Sequence, residues 1–237
     1  MKIDVLAFGA HPDDVELSCA GTLVKMKKLG KSIGIVDLTK GELGTRGTAE
    51  TRKSEAEESS KVLNLDVREN LDLGDGWFTI DKSNLLKVIQ VIRKYRPSIV
   101  FANAIKDRHI DHPKGAELVK QAAFLAGLSK IETYENGVLQ ENWRPPHLFH
   151  YIQYYHIRPD FVIDITNEFE TKMKSVLAYK TQFYNPESKE ETTLISSKKF
   201  LSFIESRARE FGGAIEKEFG EGFTSETPLT YDLLNLL

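Results

Sequence analysis

The chain has 237 residues, 35 acidic and 32 basic, for a net charge of −3, with 41% hydrophobic and 28% charged residues. That length can bury one large core, and the near-neutral balance excludes any general attraction to nucleic acid or an anionic membrane. One cysteine, Cys19, excludes an internal disulfide. The opening residues lack the apolar run of a secretory leader, and no window approaches the roughly 18 apolar residues of a membrane span. The expectation is a single soluble, cytoplasmic domain over 1–237.

Apolar, β-rich runs alternate with helical patterns through the first half, the signature of stacked βαβ units and a mostly parallel sheet. Residues 2–9 predict the first strand, and 15–29 a helix with Leu17, Leu23, Val24 and Leu29 at helical spacing. Strand 32–38, a charged helix over 49–63, a short strand near 67–72, a helix over 82–95 and strand 98–103 follow. A helix over 113–126 opens on Pro113, a residue favoured in a first helical turn. Beyond about 130 the runs HLFHYIQYYHI and FVIDIT predict two further strands, with helices near 168–180 and 196–212. The fold class is therefore α/β, a Rossmann-like three-layer sandwich with strand order 3-2-1-4-5 plus later strands.

In such a sheet, ligands bind outside the carboxyl ends of strands where the strand order reverses. Two polar clusters lie at such ends. His11-Pro12-Asp13-Asp14 follows strand one, Arg108-His109-Ile110-Asp111-His112 follows strand four, and the predicted order makes those strands neighbours. Catalytic zinc commonly takes three ligands from His and carboxylate and keeps one position for water, and His11, Asp14 and His112 supply that set. Asp13 is then the general base for the attacking water, a histidinium at His109 stabilises the oxyanion, and Asp111 orients an imidazole. The plain structural alternative is that Asp13 or Asp14 caps the first helix and Pro12 marks a turn. His147, His150 and His156 are assigned to strand or rim packing.

AHPDDVEL, then TKGELGTRGTAETRKSEA, then RHIDH resembles the LmbE-like, or PIG-L, family of zinc-dependent N-acetylglucosamine deacetylases, from residue 3 to about 230. GELGTRGTAETR and RHIDHPKGAELVKQAAFLAGL are most similar to the bacillithiol-pathway branch, which deacetylates N-acetylglucosaminyl-malate. The resemblance implies zinc on His11, Asp14 and His112, Asp13 as general base and His109 assisting the oxyanion. It places Arg52 as a substrate-binding arginine suited to a malate carboxylate, with Arg108 as a second candidate for that end. Asp75 matches an aspartate that holds sugar hydroxyls; a Gly-Asp-Gly turn is the alternative. Val15, Ser18 and Ala20 depart from residues frequent in the family. Glu42 either contacts the site or satisfies loop amides, and Cys19 is read as a buried small side chain. The resemblance also implies a homo-oligomer, often a hexamer.

The leading expectation is a zinc-dependent hydrolase in which a metal-bound water attacks the acetamide carbonyl of N-acetylglucosaminyl-malate. Free N-acetylglucosamine or chitooligosaccharides are the alternative substrates. The alternative from another class, a Rossmann-type nucleotide-binding protein without hydrolysis, lacks a Gly-rich phosphate loop after strand one. Residues 183–198 are longer than a compact connection needs and predict a mobile segment at the site mouth, with Tyr184 over the sugar.

Overall fold

The computed structural model describes residues 1–229. Residues 230–237, the end of the expected domain, lie outside the described residues. Strands and helices alternate through β1 (Val5–Gly9), α1 (Asp14–Lys28), β2 (Ile33–Asp37), α2 (Ala49–Leu63), β3 (Val67–Asn70), α3 (Lys82–Tyr95), β4 (Ile99–Ala102) and α4 (Asp111–Ala126). β1 reads as an uninterrupted apolar run because both faces of its sheet are covered. Leu6 and Phe8 pack with Val88 and Ile92 of α3 and Leu118 of α4, whereas Val5 and Ala7 pack with Val15 and Leu23 of α1 and Leu63 of α2. Fully burying each of the larger side chains contributes about 1.5–3 kcal/mol. α2 begins where the sequence places it because Thr48 and Thr51 form a reciprocal capping box.

A hairpin, β5 (Tyr134–Glu135) and β6 (Val138–Leu139), turns on Asn136 and Gly137, both at positive φ. Then come β7 (His147–Tyr151), β8 (Phe161–Asp164), α5 (Phe169–Leu177), α6 (Lys198–Gly213) and β9 (Gly220–Ser225). The main sheet has seven strands in the order β3-β2-β1-β4-β7-β9-β8. The expected 3-2-1-4 core is present, and the fifth place belongs to β7, because β5 and β6 pair only with each other. β7 is parallel to β4, but β9 runs antiparallel to both β7 and β8. The expected three-layer α/β class is borne out: α1, α2 and α5 pack together on one side, and α3 with α4 on the other.

β9 carries no strand pattern in the sequence, because Gly220 and Gly222 make it read as a loop. A Cβ on Gly222 would lie 2.9 Å from the Phe211 ring, and one on Gly220 2.7 Å from Val162, so close packing of α6 and β8 requires both glycines. α1 is not the uniform helix expected over 15–29. It breaks at Cys19 (φ −141°, ψ 15°), and the amides of Gly21 and Thr22 beyond the break donate to the Glu221 carboxylate of β9 at 3.0 and 2.7 Å. Lys172 Nζ holds that carboxylate at 2.6 Å, so the buried charge is paired. No helix among the described residues is long and apolar enough to cross a membrane.

Candidate active site

β1 and β4 are parallel neighbours, so the turns at their carboxyl ends open onto one crevice. The first turn carries His11, Pro12 and Asp13 into α1, and the second carries residues 103–110 into α4. α4 begins at Asp111, two residues before the expected Pro113, which places His112 in its first turn. The two clusters meet: the His11 ring centroid lies 4.6 Å from that of His109 and 5.6 Å from that of His112.

Asp14 sits between two imidazoles. His11 Nδ1 lies 3.5 Å from its Oδ2, and His112 Nε2 lies 3.1 Å from its Oδ1. The outer nitrogen of each ring faces another carboxylate. His11 Nε2 is 3.0 Å from Asp75 and 3.5 Å from Asp111, and His112 Nδ1 is 2.8 Å from Asp107. This is how proteins orient histidine ligands, with one ring nitrogen offered inward and the other held by a carboxylate. Donor atoms of His11, His109 and His112 fall within 4.8 Å of one another, as do those of His11, Asp75 and Asp111. Asn103 and Gln153 side-chain amides donate to Asp14 at 3.0 and 2.9 Å, fixing the carboxylate between the two rings.

The protonation pattern carries the same message. Burial pushes Asp14 up, but the His112 charge and the His11 hydrogen bond hold it well below the usual carboxylate range. Burial pulls His112 down, yet the Asp14 charge and the Asp107 hydrogen bond raise it to about 9. His11 also stands well above its ordinary value, because hydrogen bonds to Asp111, Asp14 and Asp75 outweigh burial. So many carboxylates around two rings call for positive charge, which protons supply here and a divalent cation would supply in their place. The donor set, imidazole nitrogen and carboxylate oxygen, suits zinc.

Asp13 is buried beside this cluster, and its backbone is strained, with φ at 118°. A non-glycine residue in such a conformation costs about 1–3 kcal/mol and persists only where surrounding contacts hold it. Its side chain makes no capping bond to α1, so the capping alternative does not describe it. Burial pushes its carboxyl up to about 7, against the pull of the Arg52 guanidinium and with the push of the Asp14 charge. That value suits proton exchange near neutrality.

The other expected site residues surround this cluster. Arg52 is only 6% exposed, and its guanidinium is taken up by Pro12 O (2.7 Å), Asp13 Oδ2 (3.3 Å) and Gln182 Oε1 (2.6 Å), not turned out for a substrate carboxylate. Asp75 lines the cavity, with His11 on one carboxylate oxygen and the Leu43 amide donating to the other at 2.9 Å. Glu42 satisfies loop amides, those of Lys40 and Asp75. Asp111 is bound to the Gly76 amide and Lys114 as well as facing His11. Burial and the charges of His11 and His112 lower the pKa of His109, which disfavours the expected histidinium. The Asp111 amide donates to its Nδ1 at 3.3 Å, which leaves the proton on Nε2. Arg108 is exposed, and its guanidinium lies 5.3 Å from the centre of the Tyr154 ring. His150 is buried in β7 and bonded to Asn103 O.

A cavity of about 490 Å³ opens over these groups. His11, Asp13, Asp14, Arg108, His109 and His112 form its polar end, while Leu17, Phe200, Phe203, Ile204 and Phe211 line an apolar wall. From segment 183–198, Thr193, Leu194 and Ile195 reach the lining and Tyr184 does not. That segment is fastened to the start of α2, where the Glu190 carboxylate accepts from the Gly47 amide at 2.8 Å and Arg46 bonds Ser188. The nucleotide-binding alternative finds two carboxylates, Asp13 and Asp14, at the α1 N-terminus where a phosphate would have to sit. Sequence reasoning missed Asp107, Asn103, Gln153 and Gln182. Asp107 and Asn103 stand in NAIKDRHIDH beside the recognised cluster, but nothing local marks the two glutamines.

Residues 6–123 match the PIG-L family, described as GlcNAc-PI de-N-acetylase. A conserved protein from Thermus thermophilus of known structure is 35% identical and superposes with a TM-score of 0.85 over 97% of both chains. The diacetylchitobiose deacetylase of Thermococcus kodakarensis is 27% identical over 76% of this chain and 70% of its own. The 4-oxalmesaconate hydratase of Pseudomonas putida is 26% identical over 72% of this chain and 70% of its own. With a matching family segment that spans both site clusters, and a full-length relative of the same fold, the chain belongs to the PIG-L family of de-N-acetylases.

Proposed function

We propose that the protein is a zinc-dependent N-deacetylase that hydrolyses the acetamide of an N-acetylglucosamine unit in a small molecule. The observation that carries this reading is Asp14 between two carboxylate-held imidazoles, with the buried, strained Asp13 next to it. His11, Asp14 and His112 would hold the metal. Bound there, zinc would polarise the amide carbonyl and make water acidic enough to attack near neutral pH. Asp13 accepts a proton from the attacking water and returns it to the nitrogen as the C–N bond breaks, leaving acetate and the free amine. His109 donates a hydrogen bond from its Nε2–H to the carbonyl oxygen as negative charge develops there. Asp75 and Asp107 keep the two imidazoles oriented throughout.

The finer reading is a malate-linked sugar, whose carboxylates Arg108 would meet at the open end of the cavity. A chitooligosaccharide is the second reading, favoured by the similarity to a diacetylchitobiose deacetylase. Acetate release from N-acetylglucosaminyl-malate, diacetylchitobiose and free N-acetylglucosamine, compared as kcat/KM with zinc-loaded protein, tests both. At least a tenfold preference for the malate conjugate is expected. Equal rates remove the malate reading, and no acetate from any of them, with hydration of an unsaturated dicarboxylate instead, removes the deacetylase.

A further inference from the structure

The GELG turn between β2 and α2 closes on a side chain. A Cβ at Gly41, whose φ is +67°, would lie 3.0 Å from Arg52 Nη1, and one at Gly44 would lie 3.3 Å from Nη2. The two glycines leave a slot that the guanidinium fills, and its two terminal nitrogens find their partners there. Nη1 donates to Pro12 O and Asp13 Oδ2, and Nη2 donates to Gln182 Oε1. Gln182, 4% exposed in the turn after α5, is locked in its own right: its Nε2 donates to Arg46 O at 2.7 Å and to Thr181 Oγ1 at 2.9 Å.

The Pro12 carbonyl belongs to the peptide plane whose rotation about the Asp13 N–Cα bond sets φ. A charge-assisted hydrogen bond on that oxygen holds the plane where a non-glycine residue would not otherwise keep it. We infer that Gln182 is a positioning residue, which fixes the Arg52 guanidinium so that one nitrogen holds both the strained Pro12–Asp13 peptide and the Asp13 carboxylate. Gln182 thus acts on the proton-transfer group through Arg52, and Arg52 serves the base instead of reading the substrate. The inference rests on Asp13 as general base.

Gln182→Met removes the amide at similar bulk, and Arg52→Met removes the fork. In both variants zinc content stays at one per chain, and kcat falls on the order of 10- to 100-fold, the scale of a misplaced reacting group. The loss is equal for N-acetylglucosaminyl-malate and for neutral diacetylchitobiose, with KM within about threefold of wild type, as removal of a transition-state interaction requires. Crystal structures of the variants show φ of Asp13 leaving the positive region, or its carboxyl turned away from His11. A loss confined to KM for the malate conjugate overturns the inference, since Arg52 then reads the substrate. An unmoved Asp13 with unchanged kcat in Gln182→Met overturns it as well. Should the Met variants fail to fold, Arg52→Lys carries the test: it keeps the charge, but one ammonium cannot reach Pro12, Asp13 and Gln182 together, and the same equal loss in kcat is expected. If wild-type protein releases no acetate from either substrate, the deacetylase reading fails, and the Asp13 conformation in the variant structures alone decides the positioning role.

Discussion

The two halves of the chain contribute different things to one cavity. Residues 6–123, the segment matched to the family, carry His11, Asp13, Asp14, Asp75, Asp107, His109 and His112, all on turns that leave the ends of parallel strands or in the first turns of the helices that follow. The remainder supplies the Phe200, Phe203 and Ile204 wall, the Leu194 and Ile195 rim and two glutamines that steady groups of the first half. The sheet changes character within the second part, where β9 runs against β7 and β8 while β3-β2-β1-β4-β7 are parallel. Regular strand-to-helix turns hold donors rigidly, while irregular connections and α6 shape what can enter. That division predicts that reaction and substrate choice separate by mutation.

The sharpest way to break that division is at Asp14. Asp14→Ala, or removal of metal by a chelator, should abolish bound zinc and lower acetate release by on the order of 10⁴-fold, measured as zinc per chain and kcat. Asp13→Asn should keep zinc yet lose about 10²- to 10⁴-fold in kcat; retention of most activity would displace Asp13 as base. Asp107→Ala, which frees His112 Nδ1, should weaken zinc affinity by about 10- to 100-fold in a chelator competition. In the second half, Phe203→Ala should leave zinc binding alone and alter kcat/KM by about 1–3 kcal/mol, to different extents for the malate conjugate and diacetylchitobiose. A uniform fall in kcat instead would dissolve the division. Gly222→Ala, which forces a methyl against the Phe211 ring, should cost about 1–3 kcal/mol of stability, read as a lower melting temperature with zinc stoichiometry unchanged.

What sequence alone reveals follows the same boundary. β1, β2 and β4 and the helices around them announce themselves because buried parallel strands are continuous apolar runs and their helices are periodic. α2 and α3 match their expected bounds to the residue. Later, β9 hides behind the glycines its packing requires, and the α1 break is invisible because its cause, Glu221, lies about two hundred residues away. In the site, HPDD and RHIDH are legible since imidazoles and carboxylates cluster there at the ends of parallel strands. Arg52 is legible as a site residue, but its direction is not, because its partners Asp13 and Gln182 come from opposite sides in the chain, the latter 130 residues on. Lone glutamines carry no local pattern, so Gln153 and Gln182 emerge only when the chain is folded.

β9 lies between β7 and β8 although synthesis delivers it after both. Until residues 220–225 emerge from the ribosome, β7 and β8 each present an open edge, the kind of surface on which nascent chains stick to one another. The imidazoles and carboxylates that gather around Asp14 are all synthesised by residue 112, but the sheet beneath them stays unfinished for another hundred residues. Glu221 arrives with β9 and only then caps the broken turn of α1, the helix that begins at Asp14. The donors around Asp14 are thus made well before the brace behind them.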